Sequence, residues 1–126
     1  MSVINLESAL KSFEEFWSPR IVGQVNDVHI KLAKLQGEFV WHSHKQEDEL
    51  FYVIHGQLVM HFRDRQETLR PGEMIVIPRG VEHKPVCAEE THVLLVEPVA
   101  TVNTGDAGGD RTVAPVWVDG AGPGTV

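Results

Sequence analysis

Two histidines, His42 and His44, sit one residue apart in the stretch WHSHKQEDELFY, Trp41 to Tyr52. In an extended chain, residues i and i+2 project to the same face, so the two imidazoles point together. An acidic run follows, Glu47, Asp48 and Glu49. Glu49 opens the next apolar run and is able to face the same interior. Glu47 and Asp48 are the alternatives if the turn register shifts, since boundaries are the weakest part of such a reading. A third imidazole has to come from elsewhere. His83 is the candidate, because it closes a Pro-x-Gly-x-x-His turn (Pro78, Gly80) that can lead the chain back to the same place. Three neutral imidazoles and one carboxylate form a mixed nitrogen and oxygen donor set. It suits one divalent transition metal, Fe, Mn, Ni, Co, Cu or Zn, selected by geometry rather than affinity. A six-coordinate ion held this way keeps open positions for water or substrate. Glu49 is also the candidate for a catalytic proton shuttle.

The elements that must position these residues are short. Leu6, Leu10, Phe13 and Trp17 recur at helical spacing, which predicts an N-terminal helix within residues 1–19, capped by Asn5 and stopped at Ser18-Pro19. From Arg20 the texture changes to strands and turns. Val28, Ile30 and Leu32 alternate with His29, Lys31 and Ala33, as in a half-buried strand. EFVWHSH, ELFYVI, QLVMHF, EMIVI and HVLLVEP read as further strands, separated by turn signals such as Pro71-Gly72 and Pro78-Arg79-Gly80. Strands at this spacing predict an all-β sandwich or barrel over about residues 20–100. Residues 101–126 form a loop-rich extension. Within it, Val113 to Val118 is expected to add an edge strand or meet a neighbour, and the end from Asp119 is expected to fray. The whole reads as one domain, 1–126, without internal repeats.

Bulk properties narrow the function. The net charge is −7, from 11 basic and 18 acidic residues, which disfavours a phosphate backbone or an anionic membrane surface as partner. No basic helix-turn-helix segment is present, so neither nucleic acid nor membrane is expected as a partner. A single cysteine, Cys87, rules out an internal disulfide and fits a reducing compartment. The N-terminal MSVINLESALKSF lacks a basic cluster followed by an apolar run, so the expected location is cytoplasmic.

A lone His-x-His is a weak signal, but the full pattern is not. It runs GEFVWHSHKQEDELFYVIHG from Gly37 to Gly56, then GEMIVIPRGVEHKPVC from Gly72 to Cys87. These blocks resemble the two sequence motifs of the cupin superfamily, G-x5-H-x-H-x3,4-E-x6-G and G-x5-P-x-G-x2-H-x3-N. His42, His44, Glu49 and Gly56 fall on the first, with four residues rather than five between Gly37 and His42. Gly72, Pro78, Gly80 and His83 fall on the second, with Cys87 in place of the asparagine. The resemblance is to small single-domain, bacterial-type cupins. It implies an antiparallel β-barrel, or jelly roll, with a short N-terminal α-helix, and a metal held by His42, His44, Glu49 and His83.

Other residues have bland readings beside sharp ones. Cys87 shares parity with His83 and is either a pocket thiol or, more in character, a small buried hydrophobe. Val40, Phe51, Val53 and the 74–77 strand are candidates for an apolar pocket wall. Arg79 is a candidate grip for an anionic substrate, or else a solvated turn residue. Tyr52 has the parity opposite to Glu49, and Trp41 the parity opposite to His42, so both belong outside. His29, His55, His61 and His92 have no motif support. Two functional classes remain. One is a metalloenzyme acting on a small oxygen-rich metabolite by isomerase, oxygenase or lyase chemistry. The other is a non-catalytic module that binds a metal or small ligand. A homodimer is expected, with TVNTG and TVAPVWV as contact segments, because open sheet edges invite pairing.

Overall fold

The computed structural model describes residues 2–118; the chain end from Asp119 lies outside the described residues. Helix α1 (Leu6–Lys11) is followed by β1 (Arg20–Val25), β2 (Val28–Glu38), β3 (Glu49–His55), β4 (Leu58–Phe62), β5 (Gln66–Leu69), β6 (Met74–Ile77), β7 (His83–Pro98) and β8 (Val116–Trp117). The architecture is an all-β barrel built round β7. Its 16 residues pair antiparallel with three strands. One long ladder to β2 runs from Val28–Pro98 to Glu38–Val86. On the other side, the first part of β7 pairs with β4, from Phe62–His83 to Val59–Val86, and the later part with β3, from His55–His92 to Leu50–Val96. One strand therefore serves both walls of the barrel. β6 is carried by β3, β5 by β4, and β1 by β2, while β8 adds to β1 in parallel.

The parity of β2 differs from the simple alternation predicted. His29, Lys31, Ala33 and Leu35 are buried inside the barrel, in register with the inward Val93, Leu95 and Glu97 of β7. Leu32 points the other way and is also fully buried, because α1 and the segment after it cover that face. A strand covered on both sides shows no clean two-state pattern. Two cores result. One fills the barrel with Phe51, Val53, Leu58, Met60, Val93 and their neighbours. The other lies between α1 and the sheet and holds Leu10, Phe13, Val22 and Leu32. Each large apolar side chain so buried stabilises by about 1.5–3 kcal/mol.

The helix is shorter than its spacing predicts. Asn5 does cap it, its Oδ1 accepting from Ser8 N at 2.9 Å, but it ends at Lys11. Trp17 takes a left-handed backbone (φ 57°) and turns toward the barrel core instead. EFVWHSH is not a continuous strand either: β2 stops at Glu38, and His42 makes an isolated bridge to His83. A strand not foreseen, β5, follows the Arg63–Arg65 turn. Among the described residues, no helix is long and apolar enough to cross a membrane.

The turn after β3 leaves no room for a side chain. Gly56 has φ 89°, and a Cβ there would lie 2.5 Å from Thr91 Oγ1 and 2.8 Å from Glu90 O. Gly72 has a similar φ of 87° but open space around it. Gly56→Ala should therefore cost about 3 kcal/mol or more, against about 1 kcal/mol for Gly72→Ala, since only the first adds a backbone clash to the conformational strain. Urea denaturation of the pair checks this, and equal costs would show that the β3–β4 turn relaxes freely.

Candidate metal centre

His42 is held by two reciprocal backbone bonds to His83, His42 N to His83 O at 3.0 Å and His83 N to His42 O at 2.9 Å. Gly80 N donates to His44 O at 2.8 Å, so the turn before β7 also grips the His-x-His segment. Glu49 begins β3, opposite Ile77. These contacts bring His42, His44, Glu49 and His83 together, with one ligand atom from each lying within 4.8 Å of all the others. All four residues are buried. Glu49 Oε1 lies 3.2 Å from His44 Nε2 and 3.5 Å from His83 Nε2. The alternatives Glu47 and Asp48 stay outside this group; Asp48 instead accepts from Arg79 N at 2.9 Å.

The hydrogen bonds define which nitrogens are free. A carbonyl only accepts, so His42 Nδ1, 2.9 Å from Val40 O, carries the proton, and His83 Nδ1 does the same toward Val81 O at 2.9 Å. Their Nε2 atoms are left as lone pairs. His44 Nε2, His83 Nε2 and Glu49 Oε1 are buried and have no hydrogen-bond partner within the chain. Unsatisfied buried polar atoms are rare because each costs about 1–3 kcal/mol. Several of them converging on one space match the needs of a divalent cation, and the residues fit such an ion. Burial and the neighbouring His83 lower the His42 pKa to about 4, so His42 is neutral at physiological pH, as a ligand must be. Burial opposes ionisation of Glu49, but the neighbouring Glu97, His44 and His83 outweigh it and hold this carboxyl well below the usual range.

A second charged group lies beside the first, and sequence reasoning missed it. Lys31 Nζ meets Glu97 Oε1 at 2.7 Å, both residues almost fully buried. Burial and the charge of Glu49 push Glu97 well above the carboxylate range, against the pull of Lys31. Glu97, Glu49 and His42 all line one interior cavity of ≈ 40 Å³, whose remaining wall is largely apolar and includes Leu35, Phe39 and Leu95. The signal was present: Lys31 and Glu97 share parity with the core residues Ala33 and Leu95 on strands that otherwise bury apolar side chains.

The predicted pocket residues divide. Phe51 lines the cavity. Val53, Ile75 and Ile77 belong to the barrel core, while Met74 and Val76 face outward. Val40 serves through its carbonyl alone, and its side chain is off the cavity wall. Cys87 is fully buried in the core cluster, away from the cavity, and burial raises its pKa to about 11. Arg79 is exposed, and with Asp48 and Val76 it lines an outer cleft that also reaches Glu49 and Glu97. Tyr52 and Trp41 sit outside as expected, with the Arg63 guanidinium 3.8 Å above the Trp41 ring. His29 is no surface histidine: it is buried, with an unpartnered Nδ1.

The segments expected to contact a second copy are engaged within the chain. Asp106 accepts from Ser43 N at 2.8 Å and from Ser43 Oγ at 3.1 Å, and its own N–H donates to Ser43 O at 2.9 Å. Gly105 passes so close to Ser43 O that no Cβ would fit. Residues 101–112 thus strap down the residue between the two histidines. TVAPVWV provides β8, which pairs with β1 of its own chain.

The His42 shift has a consequence for stability. Folded His42 stays neutral down to about pH 4, whereas the unfolded imidazole takes a proton near 6.5. The unfolded state therefore binds more protons in that window, and stability falls as pH drops through it. Metal-free protein should lose about 3 kcal/mol between pH 7 and pH 4 relative to a His42→Asn variant. Urea titrations of both proteins at the two pH values test this; parallel losses would mean that His42 charges inside the fold.

Comparison with known proteins agrees with this fold. The family model described as Cupin domain matches residues 28–99. A cupin-2 domain containing protein from Shewanella frigidimarina superposes with a TM-score of 0.75 at 49% identity, over 76% of this chain and 94% of that one. Protein NMB1881 from Neisseria meningitidis gives 0.71 at 32% identity, over 77% and 99% of the two chains. The uncharacterized protein YdbB of Bacillus subtilis (strain 168) is 36% identical over 77 residues, 60% of this chain and 68% of its own. With both sequence motifs folded into one barrel and the family model spanning the strands that carry them, the chain belongs to the cupin family.

Proposed function

We propose that this chain is a metal-dependent cupin enzyme acting on a small oxygenated metabolite. The observation that carries the reading is the convergence of four buried donor atoms, three of them without any partner in the chain. His42, His44, Glu49 and His83 would hold one divalent transition ion. Bound there, such an ion supplies Lewis-acid activation of a carbonyl or enediol, or activation of dioxygen. The chain's own residues supply the surroundings. Val40 O and Val81 O fix the two histidine tautomers, so no proton has to move before a ligand binds. Phe39 and Leu95 give the cavity an apolar wall, which strengthens the field of any charge inside it. Glu49, with Glu97 against it, is the group placed to accept or return a proton. Isomerase, oxygenase and lyase chemistry all fit this equipment.

A homodimer belongs to the same proposal, on a different surface from the one the sequence suggested. Tyr52, Met74 and Val76 form an exposed apolar area on the outer face of β3 and β6, with Met74 55% and Val76 49% exposed. Val76→Glu should convert a dimer to a monomer in light scattering, and an unchanged mass would remove this face from consideration. The lone thiol of Cys87 is in keeping with a cytoplasmic location.

Metal content decides the main reading. Protein purified without an affinity tag or chelator should carry about one transition metal per chain, and a His42→Ala, His44→Ala double variant should carry none. A chain that arrives metal-free and refuses added Fe, Mn, Ni and Zn would end the metalloenzyme reading. The strap adds a graded expectation: Asp106→Ala, which releases Ser43, should weaken metal binding about tenfold in a competition assay, the usual cost of losing an outer support. Unchanged affinity would show that His42 and His44 hold their places without it.

A further inference from the structure

We infer that the ligand of this cavity is a small, mainly apolar molecule that presents two oxygens, such as the enolate of a dicarbonyl. Phosphorylated sugars and sugar acids fit the wall of this cavity less well. The inference rests on the metal reading above and narrows its substrate class.

The cavity wall carries the argument. Beyond His42, Glu49, Glu97 and Asn103, the lining side chains are aliphatic, aromatic or proline, among them Ala33, Leu35 and Phe51. No lysine or arginine is among them. The buried ammonium nearby, Lys31, is held by Glu97 at 2.7 Å. Arg111 lies behind the wall. Its guanidinium is 5.3 Å from the Phe39 ring and 5.8 Å from the Trp17 ring, and its Nη2 donates to Glu38 O at 2.8 Å. Asn103 is occupied too: its Nδ2 donates to Arg111 O at 2.8 Å and its Oδ1 accepts from Val113 N at 3.0 Å. A phosphate or a polyhydroxylated chain would thus lose its water and find few new partners, at a cost of several kcal/mol. Sites that bind phosphate offer fixed cationic or N–H donors; no lysine or arginine lines this wall, and the one unpartnered cationic donor near it, Arg111 Nη1, lies buried behind Phe39 and Trp17.

Charge and size agree. Glu49 is the one carboxylate among the four donors, so a divalent ion there would keep positive charge, and the buried Lys31 beside Glu97 adds to it. An anionic oxygen on the ligand offsets part of that charge in an apolar cavity. At ≈ 40 Å³ the space is slim. It exceeds what a single water needs but suits a flat, compact molecule rather than a hexose phosphate. Trp17 and Phe39, stacked at 4.8 Å and 17°, set a planar aromatic wall against which such a molecule can lie.

The test uses the full chain loaded with Co(II), with one metal per chain verified after gel filtration. Pentane-2,4-dione is titrated against the visible cobalt bands, in parallel with inorganic phosphate and galacturonate. The dione should perturb the bands with at least tenfold tighter binding than either anion. Ala33→Leu, which fills the cavity from its wall, should weaken the dione at least tenfold and leave metal content unchanged. If that variant fails to fold, Phe51→Leu serves instead, with a severalfold loss expected. Tighter binding of phosphate or galacturonate, dione binding indifferent to the wall variants, or loss of the metal to the dione would each overturn the inference while leaving the metal centre standing. A chain that takes up no cobalt would overturn both.

Discussion

Two backbone hydrogen bonds between His42 and His83 hold the centre of this molecule together. Between β2 and β3 the chain runs for ten residues without a strand, and both the His-x-His pair and its acidic partner depend on where that loop lies. The bridge to His83 anchors it to β7, which is itself fixed by three ladders. Donor atoms on separate segments are brought to one point because the backbone between them is pinned, not because the side chains attract one another. Without a cation, the imidazole lone pairs and the carboxylate offer each other little, so the cost of gathering them falls on the surrounding sheet.

That sheet is divided along its interior. One end of the barrel is filled by Leu58, Met60, Val53 and Val93, closely packed and dry. The other end carries Lys31, Glu97, Glu49 and three histidines, a concentration of charge that no small protein buries without compensation. β2 and β7 run through both regions, with Ala33 and Leu35 opposite Val93 and Thr91, and Lys31 opposite Leu95. The apolar end supplies the stability that the polar end consumes. A position only two residues along one strand can therefore pass from packing to chemistry.

Much of this was legible in the sequence, because His42, His44, Glu49 and His83 stand in a spacing that only a turn-rich barrel brings together. The strands were legible for the same reason, through glycine and proline punctuation. The failures share a cause. Lys31 and Glu97 were passed over because charged residues on an alternating strand normally mark the solvent side, and here the outer face was already taken by α1 and its neighbours. The N-terminal periodicity overran its helix because Phe13 is buried and Trp17 half-buried by tertiary contacts outside the helix, so apolar spacing persisted where helical geometry had stopped. The role of residues 101–112 could not be read from composition. Gly105 and Asp106 look like any loop until Ser43 is placed beside them.

Trp17 and Pro19 enter the cavity wall from ahead of the first strand, and Asn103 enters it from beyond the last strand of the barrel proper. The rim of the site thus comes from segments that the eight-strand framework does not need for its own hydrogen bonding. Cavity width and polarity can drift through substitutions in these two flanks, while the donor cluster and the ladders beneath it stay as they are. A single scaffold of this kind can be retuned for different small molecules at its margins, with selection acting on the collar and leaving the cup alone.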